Sequence, residues 1–302
     1  MNSNAWFTGT GIFAALCLEN FFKNQITFTK ILTGLPTRSG RNGKENPSAV
    51  ELKANSLGLA VTRTGKLNDS PEILQALEQE KPDVIFVIDF GQIIKEPFLS
   101  LPRFGCWNIH PSLLPAYRGA APIQRALMNG SEQSGVSLFR LVKAMDAGEI
   151  IAQEKIKISH ELSASDLYTE LSRAGVEISV KALKNLPALN LTPQNDSLAT
   201  YAEKINKNEF ELSSSMTAEN FLNVVRALDM SGGAYIIFKG KRLKIWRGKL
   251  RNDVKTETPG QVLIFEGRPV FTCSDYGAEL LEVQAEGKKK TSGAEWARGN
   301  LN

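Results

Sequence analysis

Five consecutive apolar residues at positions 84–88 constrain the fold most strongly, because four of the five are β-branched. A run of this kind favours a strand that is buried on both faces. Such strands occur in parallel sheets that helices cover on each side. A segment with helical spacing at residues 71–80 precedes the run, and strand-like and helix-like segments alternate after it. The sequence therefore predicts a doubly wound α/β domain.

Polar side chains follow the next strand of the predicted sheet. Periodicity predicts strands over 106–109, 136–142 and 150–158 and helices over 120–128 and 165–186. Asn108 and His110 lie at the end of the first of these strands, and on extended backbone they point to the same side. Ligands of doubly wound sheets bind at the carboxyl ends of the strands. We expect Asp146 to enter the same cleft from the neighbouring strand.

An amide, an imidazole and a carboxylate together suit the transfer of an acyl carbon to an amine. Attack of a neutral amine on a formyl carbonyl develops negative charge on oxygen and positive charge on nitrogen. Asn108 can donate a hydrogen bond to that oxygen, and imidazoles such as His110 exchange protons near neutral pH. Asp146 can orient the imidazole or accept the amine proton. Each residue alone also fits a purely structural role, and their combination favours catalysis.

A polar, proline-containing stretch divides the chain. We predict a catalytic domain over 1–189, a linker over 190–206 and a second domain over 207–302. After a helix at about 218–228, the second domain has short strand-like segments at 234–238, 242–246, 261–265, 270–273 and 279–283. Five short strands in so few residues predict a small closed β-barrel of the oligonucleotide-binding type.

Charge is concentrated in the second domain. The formal net charge is only +4, but residues 239–251 contain seven cationic side chains and no acidic one, and Lys288, Lys289 and Lys290 form a second cluster. A charge run alone is usually a solvated face. A basic stripe on a barrel is also a common form of nucleic-acid interface.

Other features exclude several classes of function. The three cysteines are widely spaced and only two histidines are present, so we expect neither a disulfide framework nor a metal site. No apolar run has the length of a membrane span, which favours a cytoplasmic protein. Residues 9–14 match the dinucleotide pattern G-x-G-x-x-A. However, Asn2-Ser3-Asn4 predicts a poor strand and no acidic residue follows about 20 positions later, so we expect no nicotinamide cofactor.

The segments NIHPSLLPAYRGAAPIQRAL at 108–127 and MDAGEI at 145–150 resemble the folate-dependent formyltransferases. The resemblance spans nearly the whole chain and implies a Rossmann-like domain that uses 10-formyltetrahydrofolate as formyl donor. It implies that Asn108, His110 and Asp146 match the family's catalytic residues. The residues that match the folate-contacting turn are Ser112, Leu113, Leu114 and Pro115.

Two further segments resemble the branch of this family that acts on initiator tRNA, namely GAYIIFKGKRLKIW at 233–246 and QAEGKKK at 284–290. The acceptor implied is the α-amino group of methionine esterified to initiator tRNA. The loop at 38–44 is similar to a loop that approaches the acceptor end of the tRNA. The implied tRNA contacts are Arg41, Lys44, Lys241 and Lys244. The expected protein is a monomer that needs neither a metal nor a membrane.

The chain departs from the family pattern near the cleft. Asp89-Phe90 stands where a small residue and a tyrosine are common, and Lys143 and Ala147 differ around Asp146. Two alternatives stay open. One is a formyltransferase for a small amine, such as an amino sugar or glycinamide ribonucleotide. The other is a non-catalytic RNA-binding protein. The second domain argues against the first, and the three intact polar residues argue against the second.

Overall fold

The computed structural model describes residues 4–39, 44–255 and 257–301. The chain forms two compact units that do not follow its linear order. The first comprises Met1–Gly119, Gln133–Lys157 and Tyr168–Tyr201, and the second comprises Ala120–Glu132, Ile158–Leu167 and Ala202–Asn302. None of the helices in the described residues is long and apolar enough to cross a membrane.

Strands and helices alternate through the first part of the chain, as predicted. The strands are β1 (Ala5–Gly9), β2 (Lys30–Gly34), β3 (Thr37–Ser39), β4 (Lys44–Asn46), β5 (Thr62–Thr64), β6 (Val84–Ile88), β7 (Cys106–His110), β8 (Arg118–Gly119), β9 (Gln133–Arg140) and β10 (Ile150–Lys157). The helices are α1 (Ile12–Lys23), α2 (Ala49–Ser56), α3 (Pro71–Glu80), α4 (Pro122–Met128) and α5 (Ala164–Lys184).

A seven-stranded sheet with the order β10-β9-β7-β6-β1-β2-β5 forms the centre of the first unit. The strands from β7 to β5 are parallel. β1 and β6 are buried along their whole length, so the predicted strand at 84–88 and the doubly wound class are confirmed. β9 and β10, in contrast, are antiparallel to their neighbours. The sequence did not indicate this reversal, because periodicity carries no information on strand direction.

The first strand corrects one expectation. Asn2-Ser3-Asn4 predicted a poor strand, but β1 begins at Ala5 and its residues Ala-Trp-Phe-Thr-Gly lie in the middle of the sheet. Because β1 is buried on both faces, its sequence lacks the alternation of polar and apolar residues that marks a half-exposed strand. The glycine-rich segment at 9–14 therefore does connect a strand to a helix.

Helices cover both faces of this sheet. On one face, the ring of Phe21 in α1 lies 4.9 Å from that of Phe86, which lies 5.7 Å from that of Trp107. On the same face of β7, Gly175 of α5 lies so close to Ile109 that a Cβ would overlap it. On the other face, Leu77 of α3 belongs to the core that includes Cys106. Because side chains alternate along a strand, Asn108 and His110 share the face of Cys106.

The second unit is built around a separate antiparallel sheet. Besides α4 and the start of α5, the elements that lie in it wholly or in part are β11 (Tyr201–Ala202), α6 (Ala218–Ala227), β12 (Ala234–Phe238), β13 (Lys241–Lys255), β14 (Val262–Phe265), β15 (Arg268–Thr272), β16 (Tyr276–Ala285), β17 (Thr291–Ser292) and α7 (Gly293–Asn300). Five strands pair in the order β12-β13-β16-β15-β14, and β17 pairs with β16. β13 is 15 residues long and changes register against β16 at three places. Such irregularities allow a long strand to bend.

Candidate active site

His110 ends β7 and is 5% exposed. Its Nε2 atom lies 2.9 Å from the main-chain oxygen of Tyr117. Because a carbonyl oxygen only accepts hydrogen bonds, Nε2 carries a hydrogen and donates it. In the neutral imidazole, Nδ1 is then the atom with the free lone pair. Nδ1 faces Oδ2 of Asp146 at 3.8 Å.

Asp146 lies on the loop between β9 and β10, with its side chain 12% exposed. Its Oδ2 accepts a hydrogen bond of 2.8 Å from the main-chain N–H of Gly119. We expected this carboxylate to enter the cleft from the neighbouring strand. Because Arg140 of the antiparallel β9 pairs with Trp107, the loop after β9 begins near the start of β7 and returns along that strand to His110.

Asn108 is half-buried and pairs with Phe139 on β9. Its side-chain amide has no hydrogen-bond partner among the described residues. Asn108 and His110 are two residues apart on a regular strand, so both side chains leave the same face of the sheet. A half-buried amide without a protein partner is available to donate to a bound molecule. The structure therefore brings together all three residues that the sequence predicted as catalytic.

Hydrogen bonds within the turn after β7, and from β9 to this turn, fix its shape. Ser112 is buried, and its hydroxyl donates to the main-chain oxygen of Ala116 at 2.6 Å. The hydroxyl of Ser137 on β9 donates to the oxygen of Ser112 and accepts from the N–H of Leu114. Leu114 is buried, whereas Leu113 and Pro115 are partly exposed. The side chains of Leu113 and Pro115 are thus the ones within this turn that a ligand can reach.

Asp89 follows β6, which pairs Phe86 with Trp107, so Asp89 is level with His110 on the neighbouring strand. Its backbone is left-handed, with φ 44°. Its carboxylate lies against Gly11, the residue before α1, and a Cβ on Gly11 would overlap the carboxylate. Although the residue as a whole is exposed, loss of water at the carboxylate raises the pKa of Asp89 to about 6, and a hydrogen bond from the Phe13 N–H opposes this shift. A carboxylate thus occupies a position that usually attracts anions.

Sequence reasoning missed the contribution of residues 192–200, which it assigned to a linker. Thr192 forms a bridge with Ile150. The side-chain amide of Gln194 donates to the main-chain oxygens of Asp146 and Gly148, at 2.8 and 2.7 Å. Arg118 in turn donates to the oxygen of this amide. Polar residues in a proline-containing stretch look like any surface loop, so the sequence offered no signal for this role.

The predicted tRNA contacts have different positions. Arg41 lies outside the described residues. Lys44 begins β4, which pairs with β3, and its side chain is not described. Lys241 begins β13 and is exposed. Lys244 lies further along β13, with its Nζ atom 5.7 Å from the ring centroid of Trp246.

One face of the second unit combines cationic and aromatic side chains. Arg242, Lys244 and Trp246 alternate with the buried Leu243 and Ile245, so they share the outer face of β13. The guanidinium of Arg242 lies 4.6 Å from the ring of Tyr235 on β12. Lys290 contributes a second ammonium group, 3.4 Å from the centroid of Trp246. We call these five residues, Tyr235, Arg242, Lys244, Trp246 and Lys290, the basic aromatic face.

Comparison with known proteins identifies the family. Residues 3–183 match the profile of formyl transferases, and residues 204–301 match that of the formyl transferase C-terminal domain. The chain belongs to the formyltransferase family. Within the described residues, no three side chains of metal-ligating type lie together.

Relatives in this family match the chain over nearly its full length. The methionyl-tRNA formyltransferase of Caldanaerobacter subterraneus subsp. tengcongensis is 33% identical over 97% of this chain and 96% of its own. That of Carboxydothermus hydrogenoformans is 34% identical over 97% of this chain and 95% of its own. Among solved structures, HypX from Aquifex aeolicus in complex with tetrahydrofolic acid has a similar fold, with a TM-score of 0.66 and 18% identity. The match covers all of this chain and 48% of HypX, so the chain spans about half the length of that protein.

The arrangement in this formyltransferase can perform acyl transfer. Nδ1 of His110 can take a proton, and the carboxylate of Asp146 can stabilise the imidazolium that results. The amide of Asn108 can donate to an oxygen that gains negative charge. The three groups lie on β7 and on the loop between β9 and β10, and hydrogen bonds from Gly119 and Gln194 hold that loop.

Proposed function

We propose that this chain transfers a formyl group from 10-formyltetrahydrofolate to the α-amino group of methionyl-tRNA, with the initiator tRNA as acceptor. The observation that carries the chemistry is the amide of Asn108, which has no hydrogen-bond partner among the described residues and shares a strand face with His110, the neighbour of Asp146. The acceptor follows from the relatives, whose names specify methionyl-tRNA and whose length the chain matches almost completely.

The reaction needs proton transfer and stabilisation of an oxyanion. As the amine attacks the formyl carbon, Asn108 donates a hydrogen bond to the formyl oxygen. His110 accepts the amine proton at Nδ1, because its Nε2–H is held by the oxygen of Tyr117. Asp146 lies close enough to Nδ1 to stabilise the cation by charge. His110 can then return the proton to the leaving nitrogen.

The folate donor supplies the formyl carbon and the leaving nitrogen. The residues that fit it are those of the turn comprising Ser112, Leu113, Leu114 and Pro115. Leu113 packs over Gly135 of β9 and is partly exposed, as is Pro115. These two side chains offer apolar surface for a flat ring system. Ser112 and Leu114 maintain the shape of the turn.

Binding of the tRNA body is assigned to cationic residues other than the three catalytic groups. We place Arg41 and Lys44 near the acceptor end, and Lys241 and Lys244 against the tRNA backbone. The support for Lys244 is its place on the basic aromatic face, where cations and rings suit phosphates and exposed bases. The exposure of Lys241 at the start of β13 is compatible with the same role.

The proposal also includes the division of labour along the chain, the location of the protein and its oligomeric state. The functional division of the chain is a catalytic part over 1–189, a connection over 190–206 and a tRNA-binding part over 207–302. The protein works as a cytoplasmic monomer in translation initiation. Sedimentation at working concentration tests the oligomeric state.

The decisive experiment supplies 10-formyltetrahydrofolate together with methionyl initiator tRNA, an amino sugar nucleotide or glycinamide ribonucleotide. We expect formylation of the tRNA alone. His110→Ala should lower kcat by about 10²- to 10⁴-fold. His160→Ala is the matched control, since that imidazole has an 81% exposed side chain and should leave the rate unchanged.

Other results would redirect the proposal. Formylation confined to a small amine would support a formyltransferase for that amine. Binding of tRNA without turnover, under conditions where the formyl donor is intact, would support a non-catalytic RNA-binding protein. Full activity of His110→Ala would remove the imidazole from the mechanism.

A further inference from the structure

The side chain of Gln194 joins the loop of Asp146 to Arg118. Its Nε2 atom donates to two main-chain oxygens, those of Asp146 at 2.8 Å and Gly148 at 2.7 Å. Its Oε1 atom accepts from Nε and Nη2 of Arg118, at 3.1 and 2.7 Å. All four hydrogen-bonding positions of the amide are therefore used in the sense its chemistry allows. Only a primary amide of this length meets both requirements.

Arg118 also links this amide to the carboxylate of Asp146 through the main chain, because the residue after it, Gly119, donates to that carboxylate. The residue is 4% exposed, and its Nη2 atom also donates to Asp196 at 2.7 Å. Its main-chain N–H donates to Thr200. The next residue, Gly119, donates its N–H to Oδ2 of Asp146. The carboxylate of Asp146 and the main chain that carries it are thus held by Gly119 and by Gln194.

The loop of Asp146 needs such support. Asp146 has a left-handed backbone, with φ 52°, a conformation that residues other than glycine adopt infrequently. Neighbouring side chains of the loop lie outside the core, as Val142 and Met145 are exposed by 42% and 64%. The side chains of these two residues therefore contribute little packing to this loop, and directed hydrogen bonds hold Asp146 in place.

The segment that carries Gln194 is itself fixed at both ends. Thr192 exchanges two main-chain hydrogen bonds with Ile150, of 2.8 and 2.9 Å. At the other end, Thr200 donates its N–H to the oxygen of Pro115, and its hydroxyl accepts from the N–H of Tyr117. Residues 192–200 therefore bind both the catalytic loop and the turn that follows β7. This arrangement differs from that of a free linker.

We propose that Gln194 is a positioning residue for formyl transfer, which holds the main chain of Asp146 so that the carboxylate faces Nδ1 of His110. The role rests on the proposed function, because it requires Asp146 to act with His110. Gln194 contacts neither the imidazole nor the carboxylate oxygens. It acts through the main-chain oxygens of Asp146 and Gly148.

Two substitutions test this role. Gln194→Glu keeps the length of the side chain and the acceptor for Arg118, but places an oxygen against the carbonyls of residues 146 and 148. Gln194→Met keeps the volume and removes both functions. We expect both to lower kcat by about 10- to 100-fold, the cost of a small misplacement of a reacting group. The KM for 10-formyltetrahydrofolate should change by less than about 3-fold.

The control is Asn195→Ala, which alters the neighbouring residue. That side chain accepts hydrogen bonds from Ser197, within its own turn. We expect its kcat to match the wild type. Thermal unfolding of all three variants shows whether any loss of rate reflects a loss of folded protein.

A double substitution separates positioning from a general structural effect. In an Asp146→Asn background, Gln194→Met should lower kcat by less than about 2-fold further, because the carboxylate it positions is already gone. If Gln194→Met lowers kcat in this background by the same factor as in the wild type, Gln194 acts elsewhere and the proposal is overturned. A Gln194→Glu enzyme with wild-type kcat would also overturn it. If the wild type itself fails to formylate methionyl-tRNA, the proposed function fails instead, and the two failures are distinct.

Discussion

Tyr117 and Asp146 both adopt a left-handed backbone, with φ values of 58° and 52°. Each supplies one contact to the imidazole of His110, the first through its main-chain oxygen and the second through its carboxylate. Residues other than glycine hold such conformations only where their surroundings enforce them, and these residues are concentrated at functional sites. Two constrained turns therefore supply these two polar contacts of the imidazole, while β7 positions the imidazole itself.

Asp89→Asn should change how stability depends on pH. Burial raises the pKa of the Asp89 carboxyl from 3.8 to about 6. Folding therefore favours its neutral form, and the resulting stability is present below pH 3.8 and is lost as the pH rises through about 6. Removing the charge should stabilise the protein at pH 8 relative to pH 3.5. The gain should be under about 1 kcal/mol, since the residue is partly exposed and water screens the charge.

Urea unfolding of both proteins at pH 3.5 and pH 8 measures this difference. The same change in free energy of unfolding between the two pH values for wild type and Asp89→Asn would show that the carboxylate is ionised equally well in the folded and unfolded states.

Elements with a strong hydrophobic period were predictable from the sequence, and those defined by their partners were not. The buried run at 84–88 and the long amphipathic α5 were predicted close to their observed bounds. The helix α1, in contrast, has little polar alternation, because apolar side chains such as Ile12 and Phe22 also lie on its exposed side. Strand direction in β9 and the return of the Asp146 loop depend on pairing across the sheet. Residue type singled out Asn108, His110 and Asp146 as candidates. It did not single out Gln194, because the partners of that side chain are two main-chain oxygens and an arginine far away in the sequence.

The contact of α5 with β7 depends on the absence of a side chain at Gly175. A Cβ there would overlap Ile109 and lie 3.0 Å from Cγ2 of Val136. Gly175→Val should therefore destabilise the first unit by about 1–3 kcal/mol through overpacking. Denaturant unfolding measures the loss. Gly299→Ala, in a helix where a Cβ meets no neighbour within 4 Å, should not destabilise the protein. Equal stability of Gly175→Val and wild type would show that α5 can move away from the sheet.

The basic aromatic face should contribute salt-dependent affinity. Arg242→Glu combined with Lys244→Glu should lower the slope of log affinity against log salt for tRNA by about 1 to 2, because each phosphate contact releases counterions. Filter binding over a range of salt concentrations measures the slope. The paired control, Lys155→Glu with Lys157→Glu, makes the same charge change on the exposed part of β10. An unchanged slope in the first variant would exclude this face from the tRNA interface.

At the scale of the whole molecule, the second unit draws on residues far apart in the chain. Arg125, in α4, forms a bidentate ion pair with Glu209, and it also donates to the main-chain oxygens of Glu203 and Lys204. Arg226 of α6 donates to the oxygen of Ser159. Segments from the middle of the sequence are therefore part of the unit formed by its C-terminal third, and sequence boundaries alone do not describe this unit.

Arg125→Met should destabilise the second unit by about 1–2 kcal/mol, because the pair is less than a quarter exposed and Met leaves Glu209 without its main partner. Hydrogen bonds from Arg125 hold the pKa of the Glu209 carboxyl below its usual value of 4.5. The stability this provides is present above pH 4.5 and is lost as the pH falls through the lowered pKa, so the difference between variant and wild type should shrink in acid.

Chemical denaturation at pH 7 and pH 3 tests both parts of this expectation. Arg173→Met removes a pair on the surface of α5, whose side chains are 60% and 45% exposed, and should cost less than about 0.5 kcal/mol. A loss for Arg125→Met no greater than that of Arg173→Met would show that the Arg125 pair is as solvated as a surface pair.

The acceptor that orients His110 is a main-chain oxygen, that of Tyr117. Every amino acid carries the same oxygen, so replacing the tyrosine ring does not delete the acceptor. The orientation of the imidazole is thus tolerant of substitution at position 117, provided that the new residue accepts the same backbone geometry. Glycine and asparagine meet that condition with little strain, whereas valine or isoleucine would strain the turn and displace the oxygen that holds the imidazole.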